Sequence, residues 1–140
     1  MNLIYDMACH LQAQGAGTIG RDLFLSRFPA SAPDGAISLY EYAGEPVNRM
    51  DRKFASLRLQ VICRAPDYDV ALVKAQQVAE ILQHIGNTDL GVPALEINGT
   101  RYFQLFALQY PFPLKDDEQD RMYFAQNYCV YAKPIEEKER

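Results

Sequence analysis

Two histidines, three cysteines and one acidic run are the residues of this chain whose types could do chemistry. His10 follows Cys9 directly, and His84 lies far downstream. Neighbours on a helix diverge by about 100°, so Cys9 and His10 are badly placed to share one metal. The chain has no HxxxH, HExxH or CxxC spacing, so the pattern predicts no metal site. Cys9, Cys63 and Cys129 are odd in number and far apart. That argues for reduced thiols in a cytosolic product. Cys63 and Cys129 fall in apolar stretches, where a thiol is inert packing. Ser26, Ser31, Ser38 and Ser56 sit in no GxSxG-like elbow. Gly15-Ala16-Gly17-Thr18-Ile19-Gly20 has the glycines of a phosphate loop but follows a predicted helix and lacks the lysine, so it reads as a helix-ending link. Asp116-Asp117-Glu118-Gln119-Asp120 lacks the alternating ligands, turn glycine and distal glutamate of a calcium loop. The expectation is a chain with no catalytic residue, no metal and no cofactor.

Charge and aromatic placement point instead to contact surfaces. Arg49, Arg52 and Lys53 make one basic loop, and Asp116, Asp117, Glu118 and Asp120 make its acidic complement. Both are expected between strands, where binding surfaces concentrate. A solvated turn and a contact with another subunit are both compatible with the acidic run. The aromatics are nine Tyr, seven Phe and no Trp, a mixture that suits interfaces because tyrosine joins apolar area to a polar tip. Tyr40 and Tyr42 alternate with Ile37 and Leu39, and Tyr123 and Tyr131 fall on the face opposite Phe124 and Tyr128.

The elements that must position these groups follow from periodicity. Leu3, Ile4, Met7 and Leu11 predict a helix over 2–14 with Asn2 as N-cap. Residues 22–28 and 36–43 read as strands separated by a Pro-Asp-Gly turn, and 47–54 as a polar loop. Residues 55–64 alternate cleanly, with Leu57, Leu59, Val61 and Cys63 on one face. Ala71, Ala75, Val78 and Leu82 form the stripe of a helix over 67–85, opened by Asp67 or Asp69. Asn98-Gly99 predicts a tight hairpin between strands at 94–97 and 100–109. Pro111 to Asp120 reads as a separator before the last strand, 121–132. The order α-β-β-β-α-β-β-β predicts an α+β fold, with two helices on one face of a largely antiparallel or mixed sheet. Residues 1–134 form the expected single domain and 135–140 a charged, frayed tail.

Bulk properties set the outer bounds. At 140 residues the chain is one domain, able to bury roughly 68–70% of its unfolded surface. With 49% hydrophobic residues it is not a disordered chain. It lacks the run of ~20 apolar residues needed to span a membrane. Its start, Met1-Asn2-Leu3-Ile4-Tyr5-Asp6, has no basic or long apolar segment of a secretory signal. A net charge of −4 argues against binding dominated by nucleic-acid phosphates.

Three stretches together resemble the phage tail-terminator (neck) proteins, the minor capsid proteins of siphoviruses. Pro33-Asp34-Gly35-Ala36-Ile37-Ser38-Leu39-Tyr40, followed by Gly44-Glu45-Pro46, is similar to the family's P-D-x-x-I-x-L-Y strand and Gly-x-Pro turn. Leu59-Gln60-Val61-Ile62-Cys63-Arg64, then Asp67-Tyr68, is similar to its L-Q-V-x-V-R strand and D-Y turn. Pro113-Leu114, the acidic turn, Arg121 and Asn127 resemble its closing pattern, with Lys115 where a turn glycine is expected. The resemblance implies a virion protein made in the host cytoplasm. It would form a homo-oligomer, a hexameric ring, that caps the tail tube, ends tail polymerisation and joins the head connector or completion protein. DNA would pass the lumen without specific binding, and no membrane would be involved. The residues leave two other readings: another head–tail connector or tail-completion protein, and a small ligand-binding or regulatory domain using a pocket between the helix at 67–85 and the sheet.

Overall fold

In the computed structural model the described residues are 1–44 and 55–135. Helix α1 (Leu3–Ala13) begins where expected, with the Asn2 side chain accepting from Tyr5 N at 3.2 Å. Strands β1 (Leu23–Leu25), β2 (Ala36–Tyr42) and β3 (Ala55–Ala65) follow, then helix α2 (Tyr68–Leu82). After a 3-10 turn (Thr88–Leu90) come β4 (Leu95–Ile97), β5 (Thr100–Ala107), β6 (Phe112–Leu114) and β7 (Met122–Pro134). The main path of the sheet is β1-β2-β3-β7-β5-β4, with β6 also paired to β7. All pairs are antiparallel except β1 with β2, which makes the sheet mixed.

The expected fold class is the observed one. The β3 alternation places Leu59, Val61 and Cys63 in the core, and across the ladder Tyr128 and Phe124 face the same side. Both helices cover that face, α1 against β1 and β2, α2 against β3 and β7. The predicted α2 stripe is the buried one, with Ala71, Ala75, Val78 and Leu82 between 0% and 4% exposed. Its small alanines let the helix axis approach the sheet, and Leu82 fills the far end.

Three local differences have physical reasons. The Asp67 side chain makes no capping hydrogen bond, so the start of α2 rests on Asp69 in its first turn and on packing. The helix stops at Leu82, short of Ile85, because Ile85 N bonds back only three residues to the Leu82 carbonyl at 3.2 Å and Gly86 N bonds to the Pro93 carbonyl at 3.0 Å, so neither amide continues the helical ladder. Gly86 then turns at φ +70 directly against the Phe103 carbonyl, where a Cβ would stand 1.8 Å from that oxygen. Finally, the supposed separator after residue 110 contains a strand, β6, despite its prolines. The Asn98-Gly99 hairpin is as predicted, both residues at positive φ.

The longest ladder sets the scale of the molecule. β3 and β7 pair from Ala55 opposite Ala132 to Ala65 opposite Met122. At ~3.4 Å per residue those ends lie roughly 34 Å apart.

Candidate assembly surface

The acidic turn sits at the Ala65–Met122 end of this ladder, immediately before β7. It is a built structure. Asp117 Oδ1 accepts from Gln119 N at 2.9 Å and Arg121 N at 3.0 Å. Asp117 Oδ2 accepts from Arg121 Nε and from the Tyr123 hydroxyl, each at 2.7 Å. The Tyr123 hydrogen bond and the Arg121 donors hold the Asp117 carboxyl well below the usual carboxylate range. The turn is also tied to the segment before β2. Arg121 Nη1 lies 3.6 Å from Asp34 Oδ1, and the Phe28 ring meets Tyr123 edge-on at 5.9 Å. Arg64, 3% exposed, donates to the Pro33 and Asp34 carbonyls at 2.6 and 3.2 Å and lies 4.6 Å over the Phe28 ring.

The four acidic residues singled out in the sequence therefore divide. Asp117 turns inward and holds the loop. Asp116, Glu118 and Asp120 are exposed, and Asp120 takes a positive φ of 58 that aids the turn. Arg49, Arg52 and Lys53, with the expected loop at 47–54, lie outside the described residues. The residues that flank them are described. β2 ends at Tyr42 and β3 begins at Ala55, and Ala55 pairs with Ala132. β3 thus begins at the end of the β3–β7 ladder remote from the acidic turn.

The histidines and cysteines build no metal group among the described residues. His10 on α1 and His84 just past α2 do line one cleft of 410 Å³, with Glu80, Ile81, Ile85, Val92 and Pro93. Burial lowers the His10 pKa, and His84 Nε2 lies 3.1 Å from Glu80 Oε1. Leu95 of β4 also lines this hollow, so it lies between the C-terminal end of α2 and the edge of the sheet. All three cysteines are free thiols, and burial pushes the Cys63 thiol up to about 12.

A family model described as bacteriophage tail terminator protein matches residues 10–132. The chain belongs to the bacteriophage tail terminator family. It is accordingly a structural component of the phage tail and neck, carried in the virion. Comparison with solved structures adds the fold. A chain from the virion of a native gene transfer agent particle superposes with a TM-score of 0.59 at 12% identity, over 91% of this chain and 95% of that one. No curated protein sequence matches. No helix among the described residues of this tail terminator is long and apolar enough to cross a membrane.

Two features of the terminator fold escaped the sequence reading. Asp6, 1% exposed on α1, accepts from Asn98 Nδ2 at 2.8 Å and from the Tyr102 hydroxyl, clasping the N-terminal helix to the β4–β5 hairpin. The only sequence sign was a carboxylate in an otherwise apolar helical stripe. The second is the connection between β5 and β6, where Leu108 is 47% and Tyr110 91% exposed. Its backbone is fixed from both sides of Gln109, whose carbonyl accepts from Gln126 Nε2 at 2.6 Å and whose Oε1 accepts from Asn127 N at 3.1 Å.

Proposed function

We propose that this tail terminator closes into a hexameric ring that caps the tail tube, ends its polymerisation and offers a second surface to the head connector or completion protein. DNA passes through the lumen without specific binding. The observation that supports this reading is the tail terminator family match over residues 10–132, and the acidic turn built by Asp117 and Arg121 at the Ala65–Met122 end of the β3–β7 ladder is a candidate contact. A closed ring uses two different patches on every subunit, so a basic stretch and an acidic turn on the same chain suit a head-to-tail contact. Exposed ion pairs contribute only ~0.2–1 kcal/mol each, so their part is to set register and reject wrong docking. The test reverses Arg49, Arg52 and Lys53 to Glu, then adds reversal of Asp116, Glu118 and Asp120 to Lys. Asp117 is left in place because it holds the turn. Sedimentation at low salt is expected to show the ring lost in the first variant and restored in the second, with tail-length distributions following. An unchanged ring in the first variant would sink the charge contact. A ring that forms without affecting tail length would favour the second reading, a connector or completion protein.

A further inference from the structure

β5 and β6 are one strand direction broken by an excursion. From Ala107 opposite Tyr128 to Phe112 opposite Ala125, two more residues stand on their side than on β7. An even insertion keeps the alternation of the backbone in phase. Leu108 N bonds toward β7, to Asn127 O, whereas Leu105 N bonds away from it, to Ile85 O. Even-numbered N–H groups thus face β7 and odd-numbered ones face outward. On the outward side β6 has no strand neighbour among the described residues. Within β6 the outward position is Pro113, Pro111 stands just before the strand, and proline has no N–H. Pro113, opposite Phe124, keeps its place in the ladder because its nitrogen points away from the neighbour.

We propose that Pro111 and Pro113 make the open side of β6 an edge that refuses a further strand. An incoming strand needs donors and acceptors in alternation, and here two successive donors are missing. The excursion adds a second obstacle, since it interrupts the edge and leaves Tyr110 91% exposed beside it. Any protein that meets this edge must therefore meet it through side chains, with Tyr110 foremost, and not by continuing the sheet. The edge chemistry stands on its own. Its biological use rests on the capping reading, because a subunit that ends a polymer must lack the surface that would extend it.

The test restores the donors at residues suited to strands, as Pro113→Thr and as Pro111→Thr with Pro113→Thr. Samples are kept reduced, and sedimentation velocity is followed over a concentration series, with hydrogen exchange across residues 107–114. The double variant is expected to form species larger than those of the unsubstituted protein at a roughly tenfold or greater lower concentration, with new exchange protection at 111–114. The single variant is expected to fall between. If both variants melt with the unsubstituted protein and show the same species and exchange, the prolines do not guard the edge and the proposal is overturned. If the double variant fails to fold, the single variant decides in the same way. The ring reading is judged separately, by whether the unsubstituted protein forms a ring and sets tail length.

Discussion

The hydroxyl of Tyr123 donates to the carboxylate of Asp117 across 2.7 Å, joining the first residue pair of the last strand to the turn that precedes it. This bond and the Arg121 contacts are strongest while Asp117 is ionised. Its carboxyl is held below its ordinary value, so the contribution is complete above the unfolded carboxylate pKa of ~3.9 and is lost as pH falls through the lowered native one. The turn is expected to stay closed at pH 4, where free carboxylates are already half protonated, and to open only in stronger acid. Asp117→Asn should open it at neutral pH. Faster amide exchange at residues 119–121 would register both effects, and unchanged exchange in the variant would contradict them.

Tyr102→Phe removes one donor from a carboxylate that is 1% exposed. Leaving that oxygen unsatisfied is expected to cost about 1–3 kcal/mol in denaturant unfolding. Replacing both partners, Asp6→Leu with Tyr102→Phe, should cost less than the sum of the two single changes, because no buried acceptor is then stranded.

Leu82→Ala empties a fully buried site at the end of α2 and is expected to destabilise by about 2–5 kcal/mol. Val73→Ala on the exposed side of the same helix, where Val73 is 50% exposed, should stay within about 0.5 kcal/mol. Equal effects would mean the helix is rotated.

Thiol labelling under native conditions should modify Cys9 first, since it is partly exposed while Cys63 and Cys129 are buried. Raising the pH to 9 should leave Cys63 unmodified, because burial holds its thiol protonated up to about 12. Unfolding should release all three. Fewer than three labelled thiols in unfolded, unreduced protein would reveal a disulfide.

The parts legible in the sequence are those whose signal is local. The alternation of Leu59, Val61 and Cys63, the stripe from Ala71 to Leu82 and the Asn98-Gly99 turn each depend on neighbours within a few positions. β6 was hidden by a sound rule applied at the wrong place. Proline breaks a ladder when its nitrogen faces the partner, and Pro113 turns its nitrogen away. Asp6 was hidden by distance along the chain, since Asn98 and Tyr102 stand 92 and 96 residues on. The convergence of His10 and His84 on one cleft has the same cause. Asp117 is different. Arg121 four residues later and Tyr123 six residues later were visible as donors, and only their common target made the carboxylate structural.

Strand β7 is the centre of the sheet, flanked by β3 on one side and by β5 and β6 on the other. Until residues 122–134 have been synthesised, those three strands have no neighbour in common, and partial sheets offer little to hold them. Folding must then wait for pairings distant in sequence, which makes it slow and leaves edges open to aggregation meanwhile. The same delay acts as a check on quality. A chain interrupted before Met122 lacks both the sheet's middle and the Tyr123 that steadies the acidic turn, so it fails outright instead of circulating as a nearly correct subunit.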